Sequence, residues 1–150
     1  MVGILRSDPQ DFGVSENAHS NQTNKEGEIM IKVVYCLVRK EGMSREKFQN
    51  YWLNQHADKV KQRANAIGMV RYVQSHSYDT PMNAGMAQER GGLSGYDGIM
   101  EGWWESEEQA MAALTTPAGQ QAMTDLLDDE RCFIDFGKSP IFMTREHVIY

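Results

Sequence analysis

The sequence predicts an α+β domain with the element order βαββαβ, and three observations carry that prediction. Four short runs rich in β-branched and aromatic residues stand at 30–39, 69–78, 96–105 and 140–150. Two helical stretches with capping signals lie between the first and second runs and between the third and fourth. At 150 residues, with 41% apolar and 24% charged side chains, the chain is long enough to bury one core and polar enough to stay in water.

Residues 1–29 come first and read differently. SDPQDFGVSENAHSNQTNKEGE is polar, aperiodic and poor in branched apolar residues, so it buries too little surface to offset its ordering entropy. It is expected to be a tail, or a strap across a neighbouring subunit, and its His19 is given no role. The folded domain is expected to span 30–150, beginning near Met30. MIKVVYCLVR is apolar at nearly every position of 31–38 apart from Lys32, which predicts a first strand covered on both faces. Ser44 then caps a helix, with Met43 and Phe48 placed as a hydrophobic staple, and that helix is expected to run to Ala66 and stop at Gly68.

MVRYVQSHSY is the second strand. DTPMNAGMAQERGGLSG (79–95), with four glycines and a proline, is expected to be a long loop. YDGIMEGWWE is the third strand, its glycines predicting a bulge or a close backbone approach. Ser106 and Gln109 form a capping box for a second helix, restarted at Thr116-Pro117 and ending in Asp128-Asp129-Glu130, expected to be a solvated helix end. PIFMTREHVIY closes the chain as the fourth strand. Two right-handed crossovers in this order make a ferredoxin-like sandwich, a four-stranded antiparallel sheet with two helices on one face. The other face of the first strand is apolar too, and a second copy of the sheet is the expected cover, giving a homodimer.

The formal charge of −6 argues against nucleic acid and anionic membranes, and no apolar run is long enough to span a bilayer. The first residues lack a signal-peptide pattern, so a cytoplasmic location is expected. Cys36 and Cys132 are expected to be buried thiols, and the four histidines show no metal-ligand spacing, so no metal is expected. No glycine-rich phosphate loop opens a helix, so no nucleotide cofactor is expected either.

The chemistry centres on EKFQNYWLNQHADKV. Phe48, Trp52 and His56 fall four apart, so a histidine arrives on the apolar face of a helix. At about 1.5 Å per helical residue, His56 lies roughly 18 Å from Ser44. Tyr35 is about 16 Å up the antiparallel first strand at about 3.3 Å per residue, so the two reach similar height. Glu101 to Trp103 on the third strand should fall there too, with His76 within reach across a bound ligand. His56 is the candidate general acid or base, its ordinary pKa near 6.5 leaving it mostly neutral at pH 7. Tyr51 or Tyr72 is the candidate for polarising a carbonyl. Trp52 and Trp103 are candidate apolar walls, although Trp103 and Trp104 must point to opposite sheet faces.

MIKVVYCLVRKEGMSREKFQNYWLNQHADKV, MVRYVQSH, YDGIMEGWWESEEQA and RCFIDFGKSPIFMTREHVI together resemble the EthD family of dimeric α/β-barrel proteins, over about 30–150. The YWxxxH on the first helix and YDGxxExW on the third strand are the most specific pieces. The resemblance implies a homodimer and a pocket between helices and sheet in each subunit. It implies action on small cyclic or aromatic molecules, including polyketide-like compounds and lactones, without a cofactor. A cofactor-free isomerase or lyase, dehydratases included, in which His56 moves protons with help from a tyrosine is therefore the leading expectation. Its rivals are a cofactor-free monooxygenase of phenols and a non-catalytic binding protein of a degradation pathway.

Overall fold

A computed structural model describes residues 30–150, together with Thr23 and Gly27 of the preceding segment. The expected strap and His19 therefore lie outside the described residues. The strands are β1 (Ile31–Leu37), β2 (Arg71–His76), β3 (Gly98–Trp104) and β4 (Ile141–Arg145). They form one antiparallel sheet in the order β2-β3-β1-β4, with the first and third strands central. The helices are α1 (Arg45–Tyr51), α2 (Ala57–Arg63), α3 (Pro81–Glu89), α4 (Glu107–Thr115) and α5 (Pro117–Glu130). The ferredoxin-like arrangement predicted from the pattern is what the chain adopts.

The expected caps form. Ser44 accepts from the Lys47 N–H, Ser106 from Gln109 and Thr116 from Gly119, each meeting a helix donor that has no partner within the helix. The helix ends at Arg63, short of the expected Ala66, and a turn over 64–68 closes on Gly68 at φ 70°, a conformation that costs glycine little. Met43 packs against the apolar cluster that contains Phe48.

Three further expectations are corrected. The 79–95 stretch contains helix α3, because Thr80 caps the Met82 N–H and Pro81 supplies the first turn. Thr80-Pro81 repeats the signal read correctly at Thr116-Pro117, but the glycines that follow obscured it. The first helix is not uniform either: α1 and α2 are joined by a π-helical turn, Trp52–His56, where the Ala57 N–H reaches back to the Trp52 carbonyl. Cys132 is exposed and Cys36 only partly covered, so neither is a buried thiol.

The π turn explains the four-residue spacing. On a helix of 3.6 residues per turn, a step of four drifts by about 40°, so Phe48, Trp52, His56 and Val60 would spread over about 120°. The extra residue in the wide turn removes about 100° of that drift. All four side chains consequently face inward and are buried.

The helix-facing side of β1 carries Ile31, Val33, Tyr35 and Leu37, opposite Trp104, Gly102, Met100 and Gly98 of β3. Two apolar clusters fill the layer between sheet and helices. Ile31, Val60, Ile67, Trp104 and Leu126 make one, and Leu37, Phe48, Trp52, Phe133 and Ile134 belong to the other. Among the described residues no helix is long and apolar enough to cross a membrane.

Candidate functional site

Between those two clusters lies a cavity of about 480 Å³. Its walls are largely aliphatic and thioether groups with Trp52 and Trp104, and its polar lining comes from Tyr35, His56, Tyr72, Glu107, Glu130 and Ser139. Such a volume, apolar with a few converging polar groups, suits a small organic molecule.

His56 is 4% exposed and reaches this wall from the π turn. Its Nδ1 lies 2.7 Å from Asp129 Oδ2. An ionised carboxylate only accepts, so Nδ1 carries the hydrogen and Nε2 keeps the lone pair. Asp129 is itself gathered by three donors: Tyr51 Oη at 2.6 Å and the Lys59 ammonium on Oδ1, and His56 on Oδ2. Burial alone would raise the Asp129 carboxyl, but the hydrogen bonds from Lys59, Tyr51 and His56 outweigh it and hold the group below its ordinary range. For His56 the balance runs the other way. Burial lowers its pKa below 6.5, against the opposing hydrogen bond and charge of Asp129, so the ring is a neutral base at pH 7.

Tyr72 projects from β2 and is held from two sides. Its oxygen accepts from Trp52 Nε1 at 3.0 Å and from Gln74 Nε2 at 3.2 Å. With both lone pairs engaged, what Tyr72 has left to offer is its own O–H. Burial raises its pKa to about 12, with those two hydrogen bonds opposing, so it remains a protonated donor. Tyr35 on β1 is likewise raised to about 12, by burial and by the charge of Glu130.

The candidates named from the sequence divide cleanly. His56, Tyr35, Trp52 and Tyr72 line the cavity together. Tyr51 stands behind it, bonded to Asp129 rather than facing the space. His76 stacks on the outer side of Trp52, ring centroids 4.5 Å apart, and bonds Gln74. Glu101 and Trp103 are on the opposite sheet face, in register with Val34 and Lys32. There Lys32 pairs with Glu101 and Glu146, and Trp103 donates to Glu146 beneath the Arg71 guanidinium. The tryptophan at the cavity is Trp104, as alternation along the strand requires once Ile31 and Tyr35 face the helices.

Two residues escaped sequence reasoning because the run 128–130 is not a solvated helix end. Asp128 is exposed, Asp129 buried and Glu130 half-buried on the cavity wall. A signal was present. Ala122, Leu126 and Asp129 follow the i, i+4, i+7 spacing of the buried face of α5, so Asp129 is a polar group where an apolar one was due. That is the argument that singled out His56. Among the described residues, no group of three or more His, Cys, Asp or Glu side chains is placed to hold a metal ion.

Residues 40–137 match the EthD domain family. No curated protein shows significant sequence similarity to the chain. An EthD family protein from Bacillus halodurans is similar in structure at TM-score 0.53 and 18% identity, covering 79% of this chain and 100% of that one. A protein from Arabidopsis thaliana is similar at TM-score 0.51 and 19% identity, covering 80% and 98%. A dimeric ferredoxin-like protein from Bacteroides fragilis matches at TM-score 0.50 and 7% identity, covering 78% and 96%. At such identities the likeness is one of fold.

Proposed function

We propose, from the premise that the chain belongs to the EthD family, that it is an enzyme moving a proton on a small cyclic or aromatic carbonyl compound. Lactones and polyketide-like ketones are the substrate class, and the chemistry is of the isomerase or lyase type. One observation carries the reading: a buried imidazole, with Nδ1 tied to a carboxylate at 2.7 Å, lines an apolar cavity of about 480 Å³. Asp129 sets the tautomer and stabilises the imidazolium as it forms. His56 Nε2 takes the proton, and the Tyr72 O–H, oriented by Trp52 and Gln74, meets the oxygen on which charge develops. Trp52 and Trp104 supply flat walls for a ring. Tyr51 acts through Asp129, as a positioning residue.

A thermal-shift screen with lactones, quinones and polyphenols, followed by turnover assays on the binders, tests this. His56→Ala should lower turnover by about 10²- to 10⁴-fold while ligand affinity stays near that of the parent. Affinity that collapses with the imidazole, in a parent that turns nothing over, would make the protein a binder instead. Oxygen consumption with a phenolic ligand would move it to the monooxygenases.

The same proposal includes a homodimer built on the sheet face away from the helices. Val34, Cys36, Ile99 and Phe142 lie there, the last two 37% and 49% exposed, and the similar Bacteroides fragilis protein is dimeric.

A further inference from the structure

Consecutive carboxylates end α5, and the helix sends them to different places, since neighbouring residues are about 100° apart around its axis. Asp129 turns toward Tyr51, His56 and Lys59. Glu130 turns to the cavity, among Met123, Leu126 and Leu127 of its own helix. Among the described residues its carboxylate makes no hydrogen bond or ion pair with another side chain. A charge left unpaired against apolar walls is costly, and a carboxyl relieves that cost by keeping its proton. Burial first, and the Asp129 charge second, push it up to about 7.

The groups facing Glu130 leave it in that state. Tyr35 on β1 and Tyr72 on β2 both feel its charge, and His56 lines the same space as a neutral ring. Glu107 at the start of α4 is a second acid on the wall but is exposed. Ser139 donates its hydroxyl to the Asp135 carbonyl. The nearby cations are engaged elsewhere: Lys59 on Asp129, and Arg131 beside Asp128 and over Phe136. The cavity therefore holds an unengaged carboxyl as well as a directed imidazole.

We propose that Glu130 is a second proton-transfer group, which in its acid form protonates one carbon of a neutral, unsaturated cyclic ketone or lactone while His56 deprotonates another. This rests on the preceding assignment of His56 as base. His56 Nε2 removes the proton from the carbon between carbonyl and double bond. The C–H electron pair becomes a new C=C bond, and the carbonyl pair moves to oxygen, where the Tyr72 O–H holds it. As the carbonyl re-forms, the terminal carbon of the dienolate takes the Glu130 proton and the double bond moves into conjugation. The imidazolium and carboxylate that remain return to neutral acid and base by passing one proton through solvent. No oxidant or reductant enters. The substrate is neutral, because an anionic group would sit in apolar walls beside a carboxyl that would then hold its proton too tightly to give it up.

The probe is cyclohex-3-enone in deuterated buffer, with α-hydrogen exchange followed by NMR and formation of the conjugated enone by its ultraviolet absorbance. The wild-type chain should promote both, and His56→Ala neither. In Glu130→Gln the ratio of isomerisation to exchange should fall by about 10²-fold. A ratio unchanged in Glu130→Gln, with His56→Ala inactive, overturns the role of Glu130 and leaves the role of His56 standing. A wild-type chain that promotes neither process overturns both. Infrared spectroscopy supplies a readout without substrate: a protonated-carboxyl band present at about pH 6, lost by about pH 8 and missing from Glu130→Gln. The same band in both proteins would also overturn the proposal.

Discussion

Asp129 holds the buried His56 ring in one tautomer, with the hydrogen on Nδ1 and the lone pair on Nε2. It is the common acceptor of Tyr51, His56 and Lys59, so replacing it removes one charge but disturbs three donors. Asp129→Asn should destabilise the protein by about 1–3 kcal/mol in chemical denaturation, mainly through the donors left short of an acceptor. It should also lower the His56 pKa further, because the carboxylate currently opposes the effect of burial. Titrating the ring by NMR in the folded variant checks that direction; an unchanged midpoint would mean that Asp129 does not sense the ring. Glu130 makes a prediction of opposite sign. Its folded pKa, about 7, exceeds its ordinary 4.5, so the folded chain binds the proton more tightly. The associated stability is present below pH 4.5, falls as pH rises to about 7 and stays lost above it. Glutamine does not ionise. Glu130→Gln should therefore match the wild type at low pH and exceed it at about pH 8 by up to about 3 kcal/mol, a ceiling set by about 1.4 kcal/mol per pH unit. Equal denaturation midpoints at both pH values would contradict it. The lowered His56 pKa makes acid pH unfavourable, but it does so in both proteins and cancels in the comparison.

Among the elements, the π turn and β3 act as a pair. The wide turn drives the Trp52 ring toward the sheet, and Gly98 makes room for it. A Cβ at Gly98 would meet the Trp52 ring and stand 2.9 Å from the Ser75 carbonyl. The glycines of β3 therefore serve close approach, with no bulge: the register with β1 runs unbroken from Gly98 to Trp104. Gly98→Ala should cost about 1–3 kcal/mol, since neither the ring nor the Ser75 backbone can move far in a packed layer. It should also weaken ligand binding, because Trp52 both lines the cavity and donates to Tyr72. Thermal denaturation and ligand titration read the two effects. A variant as stable as its parent would show that the ring has room to spare. Gly119 plays the same part between helices, where a Cβ would overlap the Ala113 carbonyl.

At the scale of the molecule, the two sheet faces have different tasks. The helix face is divided by the cavity into two apolar clusters, and β4 forms its outer rim through Ile141 and Met143, 58% and 50% exposed. The far face mixes Ile99 and Phe142 with the Lys32–Glu101–Glu146 network around Trp103. If a second copy covers that face, a charge placed at Phe142 must be buried unpaired. Phe142→Glu should then shift the protein from dimer to monomer in analytical ultracentrifugation, whereas Met143→Glu, on the cavity side of the same strand, should not. A monomeric wild type at all accessible concentrations would remove the dimer from the proposal.

What the sequence determined by itself was most of what local chemistry can carry, the Thr80-Pro81 start of α3 and the place of Asp129 on α5 being the local signals missed. Strand periodicity, the caps at Ser44, Ser106 and Thr116, and the stop at Gly68 depend on residues within a turn of each other, and together they specify βαββαβ. His56 was legible for the same reason: a polar group breaking an apolar stripe is a local anomaly. Tertiary structure alone decided which strand face looks at the helices, and with it that Trp104 rather than Trp103 reaches the cavity. Alternation defines two faces but does not say which one is covered. Only the fold could bring Asp129 to His56, 73 residues away, or leave Glu130 on the cavity wall with no side-chain partner among the described residues. Burial and partnership are properties of the packed chain, which is why the surroundings of Asp129 and Glu130 could not be read from the residues beside them.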